Sequence, residues 1–118
     1  MAIENALASV AVKNLKAAAP WYEMVFGRPA DSVPMPEVAE WKFARGGWLQ
    51  VYELPKRAGA TSCTLAVSSL AEEIAKLDKL GIDTSHRSTS DKVNVVMIRD
   101  PDGNSIAIAE TLDRRMAR

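Results

Sequence analysis

The sequence predicts an α+β fold built from two tandem copies of a βαβββ unit, and three observations carry that reading. The segment Val10-Ala11-Val12-Lys13-Asn14-Leu15 recurs as Leu65-Ala66-Val67-Ser68-Ser69-Leu70. In each, a short alternating run leads to a helix-capping residue and then to a leucine. Farther on, Gly46, Leu49, Val51 and Glu53 recur as Gly103, Ile106, Ile108 and Glu110. The copies stand 55 residues apart in the first block and 57 in the second, a near-constant period over the whole chain.

Each element has its own local reason. The first helix takes Asn14 as cap, turns Leu15, Ala18, Tyr22 and Phe26 inward, and stops at Gly27. Pro20 would break a helix interior, so the regular part is predicted to start near Lys16 or Ala17. Val33-Pro34-Met35-Pro36-Glu37-Val38 is too proline-rich for regular structure and reads as a rim, a lid or a stiff connector. Arg45-Gly46-Gly47 is a hairpin turn. The predicted modules span 5–53 and 62–110, joined by a linker over 54–61 whose Leu54-Pro55-Lys56-Arg57-Ala58-Gly59 has a breaker near each end. In the second copy, Ser69 and Glu72 form a capping box. Leu70, Ile74 and Leu77 make one apolar stripe, and Gly81 sits where a C-terminal cap belongs. Asp100-Pro101-Asp102-Gly103 closes the last hairpin.

Composition narrows the function. A chain of 118 residues, 47% hydrophobic and 25% charged, is long enough for one soluble domain with its own core. Fifteen basic residues balance fifteen acidic ones, without the basic stripe of a nucleic-acid binder or the basic amphipathic helix of a membrane-surface binder. Cys63 and His86 are each alone, which excludes an intrachain disulfide and a cysteine zinc site and weakens any Cys–His pair. No apolar run approaches the roughly 20 residues of a transmembrane helix. Glu4 stands where a signal peptide would carry a basic start. The expectation is a cytoplasmic domain handling a small molecule or a protein partner.

Val12-Lys13-Asn14-Leu15 leading to Trp21-Tyr22-Glu23-Met24-Val25-Phe26-Gly27, then Gly46-Gly47-Trp48-Leu49-Gln50-Val51, then Arg99-Asp100-Pro101-Asp102-Gly103-Asn104-Ser105-Ile106 form an ordered set. On these residues the chain resembles the vicinal oxygen chelate superfamily of glyoxalases, bleomycin-resistance proteins and extradiol dioxygenases. The likeness runs from about residue 5 to 110. It implies a glyoxalase-like fold, with curved mixed sheets forming a cleft that dimerisation usually completes. It also implies four metal positions, two per module, which fall here on Leu7, Gln50, Ser62 and Ala107. Leu7 and Ala107 cannot ligate, and neutral Gln50 and Ser62 cannot repay the lost hydration shell of a divalent ion. The resemblance therefore points to a divergent member with no metal and no cofactor.

Strand alternation sorts the side chains into two faces. Val10, Val12, Leu49, Val51, Ile106 and Ile108 belong under the helices, with Cys63 among them as a small buried hydrophobe. The cleft receives small residues on three strands, Ser62 and Thr64 among them, and Trp48, Gln50 and Tyr52 on the fourth. Two aromatics flanking an amide suit a neutral, partly aromatic ligand. Glu53 and Glu110 lie at odd spacing from Gln50 and Ala107 and point to the other face. A two-residue loop at Gly46-Gly47 would bring Trp41 and Phe43 into the cleft. A three-residue loop including Arg45 would instead bring in Glu40 and Lys42. The two-residue form is the more common, and it makes Trp41 a ligand contact.

The ligand-binding set is thus Trp48, Gln50, Tyr52, Trp41, Ser62 and Thr64, with no catalytic residue assigned. Asp100 and Asp102 read as turn formers, and His86 as a solvated side chain. The first expectation is a metal-free, homodimeric binding protein for a small organic molecule. The alternative is an enzyme, either a metal-dependent lyase, isomerase or dioxygenase of the same superfamily or a metal-free variant using Tyr52 or Glu40, and a third is a module whose cleft is filled by its own side chains or a partner chain.

Overall fold

In the computed structural model, which describes residues 2–118, each half of the chain folds as one βαβββ module. The first holds β1 (Leu7–Val12), α1 (Leu15–Phe26), β2 (Ser32–Met35), β3 (Val38–Lys42) and β4 (Trp48–Glu53). A short 3-10 turn, Pro55–Arg57, leads to β5 (Ser62–Ala66), α2 (Leu70–Lys79), β6 (Arg87–Thr89), β7 (Val93–Arg99) and β8 (Ser105–Thr111). The strands make two four-stranded sheets, ordered β1-β4-β3-β2 and β5-β8-β7-β6, each with one parallel pair between its first and last strands. They are two separate ladders, not one continuous sheet. Helices cover one face of both, and the helix-facing side chains of the two modules form a single core.

The two helices are started by the same device. Glu53 Oε1 accepts from the Leu15 N–H at 3.0 Å, and its repeat counterpart Glu110 accepts from the Leu70 N–H at 2.7 Å. Asn14 and Ser69 take the Ala17 and Glu72 N–H groups. These acceptors satisfy N–H groups that a helix end leaves open, together worth about 1 kcal/mol or more per helix. They also explain a departure from expectation. With Leu15 already capped, α1 starts there and not at Lys16 or Ala17, which leaves Pro20 inside the helix. Pro20 and Lys16, whose carbonyl loses its donor, both lie on the exposed face, so water can replace the missing bond.

The proline-rich stretch is also more regular than the sequence suggests. Ser32–Met35 forms β2, whose pairing with β3 shifts register between Ser32 and Met35. Pro34 is tolerated because β2 is the outermost strand of its sheet.

The modules meet where the end of β1 lies beside the start of β5, and polar side chains make the join. Asn104, fully buried, accepts on Oδ1 from the Gly59 N–H (2.9 Å), the Thr61 N–H (3.1 Å) and the Thr61 hydroxyl (2.6 Å). Its Nδ2 donates to the Ala11 carbonyl at 2.7 Å and to Asp100 Oδ2 at 2.8 Å. Asp100 also accepts the Tyr22 hydroxyl at 2.6 Å and the Asp102 and Asn104 N–H groups. The Thr61 hydroxyl in turn accepts from the Ala11 N–H at 3.1 Å. Linker, β1, α1 and the last hairpin thus converge on two side chains. Among the described residues no buried side-chain polar atom lacks a partner.

Two substitutions test this join. Tyr22→Phe removes one donor from a buried carboxylate and is expected to cost about 1.5–3 kcal/mol in urea denaturation at unchanged m-value. Gly59→Ala is expected to cost at least as much. Gly59 sits at φ +87°, and a Cβ there would lie 2.6 Å from the Asp102 carbonyl oxygen.

Candidate functional site

The face opposite the helices is set by the hairpin between β3 and β4. Phe43 N–H donates to the Gly47 carbonyl and Gly46 N–H to the Phe43 carbonyl, with Gly46 at φ +95°. This is a three-residue loop, Ala44 to Gly46, of the kind that ends in a left-handed glycine. Trp41 therefore pairs with Leu49, Glu40 with Gln50 and Lys42 with Trp48.

Trp41 is accordingly not a residue of the open face. It lies fully buried on the helix face, and its indole N–H donates to the Arg28 carbonyl at 3.1 Å. Phe26 packs edge-on against both Trp41 and Phe43, each at 5.5 Å between ring centres, and Tyr22 lies 6.0 Å from Trp41. This aromatic cluster holds the register that puts Glu40 and Lys42 on the open side. Arg28 and Asp31 clamp the backbone of Lys42 from the other side. Arg28 donates to its carbonyl, and Asp31 accepts its N–H at 2.7 Å. The Arg28 guanidinium, assisted by that N–H, holds the Asp31 carboxyl below the usual carboxylate range.

On the open face one polar row crosses three strands. The Ser9 hydroxyl donates to Gln50 Oε1 at 3.3 Å, and Gln50 Nε2 donates to Glu40 Oε2 at 2.9 Å. The row fixes which way the amide points. Trp48 and Tyr52 lie on either side of Gln50 along β4, both half-buried. The Lys42 ammonium stands 5.8 Å from the centre of the Trp48 ring, within cation–π range. Ser62 and Thr64 face the same side from β5, paired with Ser105 and Ala107.

No protein-family model matches the chain, and no curated protein does. Solved structures do match. The crystal structure of a glyoxalase/bleomycin resistance protein from Catenulispora acidiphila DSM 44928 is 30% identical, with TM-score 0.83 over 92% of this chain and 99% of that one. The chain belongs to the glyoxalase/bleomycin-resistance family of the vicinal oxygen chelate superfamily. A lactoylglutathione lyase from Agrobacterium tumefaciens shares the fold at 20% identity and TM-score 0.74, over 93% of this chain and 95% of that one. So does TnmS3, an antibiotic binding protein from Streptomyces sp. CB03234, at 20% and 0.76, over 94% and 98%.

For this glyoxalase-like chain the family's metal positions can be tested against the residues present. Across the parallel ladders Gln50 lies opposite Ser9 and Ala107 opposite Thr64, while Leu7 lies opposite Trp48. Gln50 already uses both ends of its amide. Of the four positions only Gln50 and Ser62 carry an oxygen, both neutral, and Glu40 beside Gln50 adds a single carboxylate, short of the ligand set a divalent ion takes. Among the described residues no three His, Cys, Asp or Glu side chains gather into a metal-sized group.

The six residues chosen from sequence are therefore divided. Trp48, Gln50, Tyr52, Ser62 and Thr64 take the open face and Trp41 the core. A cavity of about 980 Å³ opens at one end of the β1–β5 junction, and of the six only Trp48 and Thr64 line it. Glu40 and Lys42 are the residues sequence reasoning set aside. The repeat carried the signal for them: Asp100–Asn104 makes the same turn as Phe43–Gly47, with Gly103 at φ +92°, so the aligned glycines specify one loop length for both hairpins.

The remaining reactive groups lie away from this face. His86 is exposed beside Asp83, at 3.8 Å. Cys63 is on the helix face, where burial and then the Asp100 charge push its thiol up to about 11. At pH 8 it is almost wholly protonated. Iodoacetamide should alkylate the native protein about 100-fold more slowly than free cysteine at that pH, and faster as pH rises towards 11. Mass spectrometry of timed aliquots checks this.

Proposed function

We propose that this chain is a metal-free binding protein that holds a neutral, partly aromatic organic molecule on its open face. The observation that carries the reading is the Ser9–Gln50–Glu40 row set between the rings of Trp48 and Tyr52. A flat ligand stacked on those rings meets an amide of fixed orientation and a carboxylate that accepts a hydrogen bond. Beside Gln50, Glu40 and Lys42 carry opposite charges, so this part of the face favours no ionic ligand. Nothing on it pairs a nucleophile with a base, which favours binding over chemistry. TnmS3, with the same fold, is an antibiotic binding protein, which fits a small organic ligand here.

The working unit we infer is a homodimer in the cytoplasm. Leu7 and Met97, on the open face, are 52% and 37% exposed, and a second copy would cover them and close the ligand in. No helix among the described residues is long and apolar enough to cross a membrane.

Native mass spectrometry of freshly purified protein is the test. A dimer without metal, alone or carrying an organic adduct, is expected. One tightly held divalent ion per chain would overturn the reading in favour of a metal-dependent lyase, isomerase or dioxygenase. Fused-ring heterocycles screened by tryptophan quenching should then bind about tenfold more weakly to Tyr52→Ala. Among them, ring N–H donors should lose more affinity in Glu40→Gln than ligands lacking a donor.

A further inference from the structure

The internal repeat gives the junction of the modules an approximate twofold symmetry, and its two ends are filled differently. At one end β1 finishes beside the start of β5, and the Asp100–Asn104 turn plugs the gap. At the other, the start of β1 and the end of β5 are served by the matching turn, Phe43–Gly47. There Gly47 stands in the place of Asn104, Phe43 in that of Asp100, and Ala6 in that of Thr61. Every side chain that stitches the first end is missing from the second, and the cavity of about 980 Å³ lies there, lined by Ala6, Phe43, Gly47 and Ala66.

Its chemistry follows from the same comparison. Ala66 is the counterpart of Ala11, whose N–H and C=O are bonded to Thr61 and Asn104. Strand alternation aims the N–H and C=O of Ala66 towards the cavity, because Val67 N–H turns the other way, to the Ala109 carbonyl. Phe26, Phe43 and Trp48 supply aromatic walls, and Leu65, Val67 and Ile108 an aliphatic one. Arg45 and Lys76 reach the rim. Arg45 has no acidic partner among the described residues, and Lys76 has only Glu73, at 3.8 Å. The other acidic side chain there, Glu110, accepts the Leu70 N–H, and Arg28 and Arg118 also line the cavity.

We propose that this cavity is a second ligand site, which borders the open face at Trp48 and Thr64 but includes neither Gln50 nor Tyr52, and that it takes an aromatic carboxylate. The ring system fills the space between the modules, and the carboxylate replaces the missing polar plug, accepting from the Ala66 N–H and facing Arg45 and Lys76. The volume is in the range of small-molecule sites. Trp48 is shared with the open face, so Tyr52, which lines only that face, is the residue that tells the two sites apart.

The test titrates 4-(1-pyrenyl)butyrate into the full chain, followed by pyrene fluorescence, beside 1-pyrenemethylamine. Saturable binding of one carboxylate per chain is expected, at least tenfold tighter than the amine. The surface charge pair Arg45→Glu/Lys76→Glu should weaken it at least tenfold. So should Ala6→Thr/Gly47→Asn, which rebuilds part of the plug; Gly47 has no positive φ and nothing within 4 Å of an added Cβ. Tyr52→Ala, on the open face, should leave the Kd within twofold. Equal binding of the amine, no response to the charge pair, or loss in Tyr52→Ala alone would overturn the proposal. Circular dichroism verifies each fold, and the charge pair decides alone if the plugged variant unfolds.

Discussion

Two modules that each bury one apolar face can slide against each other at little cost, because hydrophobic burial has no direction. Hydrogen bonds do have direction, and the Asp100–Asn104 pair uses it to remove that freedom. Asn104 engages the linker at Gly59 and Thr61, β1 at Ala11, and Asp100 within its own turn. Asp100 adds α1 through the Tyr22 hydroxyl, which burial and then that hydrogen bond drive far above its ordinary pKa. A buried carboxylate is costly unless its oxygens are occupied. Here four donors occupy them, so displacing either module would expose an unpaired charge to the core. The single core of sixteen buried side chains shared by both modules rests on that alignment.

The same turn appears twice and does two jobs. Its backbone hydrogen bonds and its left-handed glycine are common to Phe43–Gly47 and Asp100–Asn104. In the first module the leading position is an aromatic that packs on Phe26. In the second it is the carboxylate of the join. Glu53 and Glu110, by contrast, kept one role in both copies, each at the start of its module's helix. The positions that start each module's helix are thus alike in the two copies, those at the junction differ, and polar side chains lock one of its two ends.

Much of this was legible in the chain. The repeat gives the order of elements, strand alternation gives the core face, and Asn14, Ser69, Gly27 and Gly81 mark helix ends that the structure places within a residue or so. The helix-facing direction of Glu53 and Glu110 was readable too, though not their bonds to Leu15 and Leu70. What was misread depends on contacts between distant residues. Local chemistry at Gly46-Gly47 allows two loop lengths, and the choice is made by Phe26, Tyr22 and Arg28, which lie 13 or more residues away from the aromatic ring they hold. Trp41 went to the wrong face for that reason, and Glu40 and Lys42 with it. The role of Asp100 and Asn104 is invisible locally because a turn motif says nothing about what its side chains reach. The cavity is invisible for the opposite reason, being made of residues that are missing a partner.

The open face is therefore a surface on which the fold makes few demands. Its alternation partners, the helix-facing side chains, bury the apolar area, and the polar join anchors the modules from the edge. A metal bound on this face would add stability, but nothing in the join or the helix caps requires one. Leu7 and Ala107 can stand where the family places ligands without disturbing either. Once that constraint is gone, the amide of Gln50 is available for other bonding, and Ser9 and Glu40 take it up from the strands on each side. A carboxylate that would be drawn to a cation in a metal site becomes a hydrogen-bond acceptor beside two aromatic rings. The same positions thus account for both features: Leu7 and Ala107 offer no ligand atom, and the Ser9–Gln50–Glu40 row turns the amide and the carboxylate to hydrogen bonding, the arrangement on which the proposed binding role rests.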